Sequence, residues 1–542
     1  MVMAPVITLN YIDYAIIGGY ILVMILVGYA LKKYMKTGED FFLSGRSLPG
    51  WITGLAFLSA NLGALEVIGM VANSAKYGIL TVHFYWIGAI PAMVFLGIFM
   101  MPFYYGSKVR TVPEYLKLRF NEATRGLNAV SFAVMTVLMS GVSLYAMALL
   151  FKLMLGWSLT GSILFAAIVV LIYVVWGGLS SSIYNEVIQF FLIWLGLLPV
   201  VFLGMKESGG ASGLARRIPE AFLHAWKNMG SSTANPLGVE WIGVVLGLGF
   251  VLSFGYWTTD FLVVQRALAS KNLAASRMTP IIASFPKMLV PIIVVIPGLV
   301  ALAVLPEFKL GASQTGEYNQ ALILLMSHYL PNGILGLAIT ALLASFMSGM
   351  AGNVTAFNTV WTYDIYGSYI KKGKSDAHYL RMGKYATIFG ILVSIGTAYI
   401  VRSFPNLMDY MQLVFSFFNA PLFATFLLGM FWRGATPWGG FFGLLGGITA
   451  AATHYLLYKS GLIHYASEMG ANFYQAWWAW LTDFLLTIVV SLFTKKKEKS
   501  ELLGLVYGLS EKAKERIKIY LRPEIWGSVA LLASLILNIV FW

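Results

Sequence analysis

Apolar runs of roughly 20 residues, separated by short polar stretches, recur from one end of this 542-residue chain to the other. That is the length a helix needs to cross about 30 Å of hydrocarbon, and about twice what a barrel strand needs. Backbone groups in lipid must bond within their own segment, so the runs are expected to be helices. Fourteen spans are predicted, at 9–31, 48–74, 78–105, 127–155, 159–177, 183–206, 239–265, 279–304, 330–370, 383–403, 407–432, 437–458, 473–494 and 524–542. A separate short helix is expected near 317–329, ahead of the long ninth span.

Composition agrees: 59% of residues are hydrophobic and 11% charged, against about 25% charged in soluble domains. The net charge of +14 raises nucleic acid as a partner in a soluble protein. Here the basic residues lie between spans, where they report topology, and a lipid bilayer is the expected partner. No basic residue precedes the first span, whereas Lys32, Lys33 and Lys36 follow it. This predicts a retained helix with the N-terminus outside a cell membrane. In that orientation 27 of the 37 Lys and Arg fall in inner loops or at their edges, nine fall on the outer side, and Lys287 is the one left deep inside a span. Residues 495–523 form a basic amphipathic stretch expected to lie on the anionic inner leaflet. The absence of cysteine excludes disulfides and thiolate chemistry. The six His are scattered, with no metal-ligand spacing and no Ser/His/Asp arrangement, so an enzyme is not expected.

Polar residues inside the apolar runs carry the functional signal. The second span contains LSANLGALEVIGM (58–70), with Ser59, Asn61, Gly63 and Glu66 near mid-membrane. Small and polar residues there release backbone carbonyls, which lipid tolerates only beside a cavity or an ion. Five spans later LSFGYWTTDFLVVQRAL (252–268) repeats the pattern and adds the acid Asp260. Discontinuous helices in matching positions of two repeats are the mark of a transporter site. The expected units are an extra helix and loop (1–47), a first five-helix repeat (48–206), an external loop (207–238), a second repeat (239–432) and C-terminal helices (433–542). In the ninth span Ser345 and Ser348 stand three apart on one face. A hydroxyl pair facing released carbonyls suits a hard monovalent cation; close helix packing is the alternative. Glu66, Glu186, Asp260, Lys287, Asp409 and Asp483 are intramembrane ionisable candidates, and Lys287 has two possible partners, Glu66 and Asp260.

These residues fall within motifs that resemble the sodium/solute symporter family, whose members include sodium/glucose and sodium/galactose cotransporters. EDFFLSGRSLPGW (39–51), TVPEYLKLRF (111–120), WGGLSSSIYNEVIQFF (176–191), YWTTDFLVVQRALASK (256–271), PKMLVPIIVVIPGLVAL (286–302) and FLLGMFWRG (426–434) occur in the family's order. The resemblance implies an all-α membrane protein with the leucine-transporter-like fold: two inverted five-helix repeats with flanking helices. It implies a sodium ion held by Ser59 and Leu62 of the first broken helix and by Ser345, Ser348 and Gly349 of the hydroxyl-bearing one. Relatives carry two adjacent hydroxyl residues where this chain has Ser348 and Gly349, so one ligand is missing and a proton is the alternative coupling ion. Glu186 stands where relatives have an Asp on the inner ion path. Ala351 and Gly352 lack the hydroxyls of a second sodium site, which favours one coupled ion.

By the same resemblance, a small polar solute, sugar-like in class, is expected among Asn61, Glu66, Tyr85, Trp86, Ser253, Tyr256, Trp257, Lys287 and Gln412. Tyr256 falls at an inner aromatic gate. Glu66, Tyr85, Gly88 and Ser253 depart from the sugar carriers. A buried hydrogen bond left unmade costs about 1–3 kcal/mol, so these changes predict altered selectivity. The expected activity is sodium-coupled symport by alternating access. A proton-coupled carrier of an amine-bearing or carboxylate solute, and a transport-like receptor, are the alternatives.

Overall fold

The computed structural model describes residues 8–32, 37–308, 318–404, 406–509 and 522–542. Lys33, Lys36 and residues 510–521 of the basic stretch lie outside the described residues, as do the side chains of 176–178 within one motif. Among the described residues all regular elements are helical, and the one isolated bridge pairs Leu48 with Ser270.

The first membrane helix is α1 (Tyr11–Lys32). The second crossing is broken into α2 (Gly50–Asn61) and α3 (Leu65–Val82), bent by 58°. Next come α4 (Phe84–Gly106), α5 (Glu122–Leu155) and α6 (Leu159–Ser208). The 50 residues of α6 correspond to about 75 Å of helix, more than twice the roughly 30 Å of hydrocarbon. It holds two apolar pieces, Leu159–Ile172 and Leu179–Ser208, so backbone helicity continues where a loop was expected. The seventh crossing is broken into α7 (Gly243–Thr259) and α8 (Phe261–Leu268), bent by 47°. The rest are α9 (Leu273–Val304), α10 (Ile334–Ile370), α11 (Asp376–Val401), α12 (Leu407–Phe431), α13 (Pro437–Lys459), α14 (Glu468–Phe493) and α15 (Pro523–Val540). The short helix expected before the ninth span is present as Ala321–Tyr329. By length and composition the described residues give up to 13 spans when each bent pair is taken as one, with Leu159–Ile172 as a shorter apolar helix beside them, where fourteen were expected.

Hydropathy and burial divide these helices. In α5, α9, α10 and α12 most of the apolar span is buried, whereas in α1, α13, α14 and α15 no more than about a third of it is. A helix that is apolar all round and buried belongs to the interior of a bundle, and one exposed in this composition faces lipid. The broken α2 packs against α6, α9 and α10, so the interruption sits in the middle of the bundle. Small residues set these contacts: a Cβ on Gly63 would lie 3.1 Å from the Gly349 Cα of α10. Close backbone approach through glycine is the usual way membrane helices gain packing without a hydrophobic driving force.

Polar ties fasten the ends. The Asp13 carboxylate of α1 accepts from the backbone N–H groups of Gly333 and Gly336, 2.7 and 2.9 Å away. It therefore caps α10 and meets the positive end of its dipole. Leu48, just before α2, exchanges backbone hydrogen bonds with Ala269 and Lys271, just after α8. The outer edge of one break is thus tied to the far end of the other.

Candidate functional site: two broken helices and a buried ion pair

Helix α2 ends because Leu62 leaves helical geometry, with φ −74° and ψ 43°. Its carbonyl is released from the ladder and accepts a hydrogen bond from Ser345 Oγ at 2.6 Å. Ser348 Oγ donates to the Ser59 carbonyl at 3.1 Å. The five residues expected around sodium, Ser59, Leu62, Ser345, Ser348 and Gly349, therefore converge, two hydroxyls against two carbonyls. A hydroxyl that donates to a carbonyl has a lone pair to offer a cation once its proton turns away. The donor set is all oxygen and uncharged, as a hard monovalent ion requires. Gly349 sits against Gly63, and a Cβ on Gly349 would lie 3.1 Å from the Gly63 Cα and 3.2 Å from Ser143 Oγ. A side chain at 349 would therefore press on the Gly63 backbone and on Ser143.

Beside the break lies a cavity of about 50 Å³ lined by Asn61, Glu66, Tyr85, Ser253, Tyr256, Trp257, Lys287 and Gln412, with Phe84, Phe415 and several apolar side chains. Lys287 Nζ lies 2.7 Å from Glu66 Oε1, with both residues buried, and also donates to Asn61 Oδ1. The partner of Lys287 is thus Glu66 and not Asp260. Asn61 in turn donates to the Tyr256 hydroxyl at 3.1 Å. Aromatic faces complete the surroundings. The ammonium lies 5.0 Å from the Tyr85 ring centre and 5.1 Å from that of Trp257, and Tyr256 stacks on Phe415 at 4.9 Å. Gln412 Oε1 is buried with no hydrogen-bond partner among the described residues. The Tyr85 hydroxyl faces Glu66 without forming a well-aligned bond.

Eight of the nine expected solute residues meet at this cavity; Trp86 does not. Its indole N–H donates to the Met288 carbonyl at 3.3 Å, and its ring packs 5.2 Å from Phe541. Ser534 of α15 donates to its backbone carbonyl. Consecutive helical residues point about 100° apart, so once Tyr85 faces the cavity its neighbour faces the helix behind. Ser253 explains Gly88: a Cβ there would lie 2.3 Å from Ser253 Oγ.

Glu186 is not with the sodium residues. It forms a buried ion pair with Arg266, both residues 1% exposed or less. Arg266 Nε lies 3.3 Å from Glu186 Oε2, and the Ser182 hydroxyl donates to Oε1 at 2.7 Å. Arg266 also reaches the Leu262 carbonyl at 2.9 Å. The expectation that Arg266 is an inner-loop charge is therefore corrected: it lies inside the bundle. Its apolar flanks, VVQRAL, were the available signal. Lys76, expected outside, is likewise partly buried and pairs with Asp409 at 2.7 Å. Asp483 accepts from the hydroxyls of Thr425 at 2.6 Å and Thr487 at 2.9 Å, away from the cavity.

The second break has its own logic. Asp260 is the residue between α7 and α8, and its Oδ1 accepts from the Leu262 N–H at 2.9 Å. It thereby caps α8 and satisfies one amide that the break exposes. Gly255, just before it, lets α7 approach α12: a Cβ there would lie 2.6 Å from the Asn419 carbonyl.

Two breaks facing each other across a buried polar cavity define a carrier of the leucine-transporter-like fold. Comparison with known proteins takes this further. Residues 41–447 match the model of the sodium:solute symporter family. The chain belongs to that family and is a multi-pass membrane protein that couples sodium to the symport of a solute. It is 28% identical to a sodium/glucose cotransporter of Vibrio parahaemolyticus over 462 residues, covering 82% of this chain and 85% of the relative. It is also 28% identical to the sodium/myo-inositol cotransporter of Canis lupus familiaris, covering 90% and 74%. In three dimensions it is similar to a Na+-coupled sialic acid symporter solved in a substrate-bound, outward-open state. There the TM-score is 0.76 at 20% identity, over 90% of this chain and 99% of the other.

Proposed function

We propose that this symporter carries a neutral, polyhydroxylated solute of the hexose or cyclitol class, bound between Lys287, Glu66, Asn61 and Gln412. The observation that carries this reading is the buried Lys287–Glu66 pair in the cavity wall. The pair is neutral as a unit. A solute with net charge has to compete for one partner and strand the other, and an uncompensated buried charge costs about 3–5 kcal/mol. A hydroxyl group both donates and accepts, so one sugar ring can receive from Lys287 and give to Glu66 and to the unpartnered Gln412 oxygen without separating them. Tyr256, Trp257 and Phe415 offer flat apolar faces to the C–H side of such a ring. The names of the relatives, glucose and myo-inositol cotransporters, point the same way.

The cycle follows from the closed geometry. A cavity of about 50 Å³ is far below the roughly 300–1,000 Å³ of ordinary ligand pockets, so solute entry requires the two repeats to part. Sodium enters from outside, the side on which the N-terminus lies, and settles among Ser59, Leu62, Ser345, Ser348 and Gly349, drawing α2 and α10 around itself. This orders Asn61 and Glu66 for the solute; outer closure follows, the ion leaves past Glu186, and Tyr256 moves aside. In a plasma membrane each cation crossing ~100 mV releases about 2.3 kcal/mol. A roughly tenfold gradient adds about 1.4 kcal/mol, together enough for accumulation of order several hundredfold per ion.

The test is uptake into proteoliposomes under an imposed sodium gradient. Radiolabelled hexoses, cyclitols, sialic acid, amino acids and carboxylates are offered singly. Accumulation of a hexose or cyclitol above equilibrium, collapsing when sodium is replaced by choline, is the expected result. Selective uptake of an anion or an amino acid overturns the solute class. Uptake driven by a pH gradient in sodium-free buffer, with sodium inert, overturns the coupling.

A further inference from the structure

We propose that a second monovalent cation binds at Asp260, in the gap between the two broken helices and next to the solute cavity. The inference rests on sodium coupling and not on which solute is carried. A cavity of about 40 Å³ opens there, bounded by Ala60, Gly63 and Ala64 of the first break, by Asp260 of the second, and by Ser143, Gly349 and Asn353. It adjoins the solute cavity and shares Asn61, Glu66 and Tyr256 with it; Lys287, Ser253 and Gln412 do not reach it, whereas Asp260, Ser143 and Asn353 line it alone.

The charge balance of the bundle centre singles out this spot. Lys287 neutralises Glu66. Arg266, the cation whose field reaches Asp260, is held by Glu186, the Leu262 carbonyl and Gln265. Asp260 therefore has no ion pair among the described residues, although it is 3% exposed. Its single well-formed hydrogen bond comes from the Leu262 N–H; the Asn419 amide lies beside it without aligning. A buried carboxylate in that condition is stabilised by a positive charge beside it or by taking up a proton, and unlike Asp483, which has two hydroxyl donors, Asp260 borders a cavity that can admit a cation.

The remaining donors are those a hard cation takes. Ser143, also buried, has no hydrogen-bond partner among the described residues and faces the cavity. The Asn353 amide group donates to the Gly349 carbonyl at 2.9 Å, leaving its own oxygen free to accept. The side-chain oxygens of Asp260, Ser143 and Asn353 thus line, with those of Glu66, Asn61 and Tyr256, a space with room for a small ion or a few waters. A cation there touches both breaks at once, so its binding is linked to their relative position. The absence of hydroxyls at Ala351 and Gly352 does not bear on this site, which those residues do not line.

Direct binding of 22Na+ to the purified full-length protein tests this without a solute. Wild type is expected to bind two ions per chain. Asp260→Asn is expected to bind one, and Ser348→Ala to weaken the other. Ser143→Ala and Asn353→Ala keep the charge, and are expected to raise the half-saturation of one of two classes of site by about three- to tenfold. These milder variants report if Asp260→Asn does not fold. Two ions in wild type with one lost in Asp260→Asn supports the proposal. One ion in wild type, lost in Ser348→Ala and unaltered in Asp260→Asn, overturns it and leaves the Ser345/Ser348 site standing. Loss in Asp260→Asn with no effect of Ser348→Ala overturns the first site and keeps this one.

Discussion

The two broken helices solve one problem with different chemistry. At the first break, α2 to α3, the freed groups are carbonyls of Ser59 and Leu62, met by neutral hydroxyls from α10. At the second, α7 to α8, a carboxylate sits in the gap and caps the following helix. The first break is built for close approach, with Gly63 against Gly349. The second places a full charge where no ion pair compensates it. Each also has a buried ion pair close by, Lys287–Glu66 beside the first and Arg266–Glu186 beside the second. The former lines the solute cavity and the latter does not. An interruption in a membrane helix is therefore not one device: it releases either dipoles or a charge, and the two call for different partners.

The largest effects are expected from removing one cation of each pair. Lys287→Met and Arg266→Met should each destabilise by about 3–5 kcal/mol, since a carboxylate is left buried and unpaired. Thermal unfolding in detergent reads this. The pairs then separate on rescue. Adding Glu186→Gln to Arg266→Met restores melting and much of the transport, whereas adding Glu66→Gln to Lys287→Met restores melting alone. Recovery of uptake in the second double variant would remove Lys287 from the solute site.

Next in size is Gly63→Ala. The added methyl meets the Gly349 Cα at 3.1 Å, and overpacking of this kind costs about 1–3 kcal/mol. It should raise the sodium half-saturation of uptake by about fivefold to a hundredfold, with the solute KM at saturating sodium shifted less. An unchanged sodium dependence would mean that α2 and α10 do not close on the ion.

Ser348→Ala removes one hydroxyl and one hydrogen bond to the Ser59 carbonyl, worth about 1 kcal/mol. Roughly a fivefold weaker sodium activation is expected, read from uptake against sodium concentration; a change in solute selectivity instead would misplace this residue.

The smallest effect belongs to Trp86→Phe. The indole bonds the Met288 carbonyl behind the cavity, so solute KM should stay within about twofold and melting should fall by less than about 1.5 kcal/mol. A tenfold change in KM would return Trp86 to the solute site.

Much of this molecule was legible along the chain. The spans and the position of the first interruption follow from hydrophobic runs and from small residues within them, and the convergence of Ser345 and Ser348 on that interruption was implied by the family resemblance. These signals are local: a bilayer demands a fixed length of apolar helix and penalises each freed carbonyl where it stands. Eight of the nine residues that the family resemblance implied for a solute line one cavity, because the resemblance carries spacing that a fold preserves. The pairing of charges was decided only by the folded bundle. Lys287 finds Glu66 across 221 positions and Arg266 finds Glu186 across 80. That Asp260 has no ion pair among the described residues emerges only once both cations are assigned. Which face Trp86 presents also depends on α15 packing behind it. Helix rotation and partner choice depend on which surfaces meet, and no run of residues along one segment holds that information.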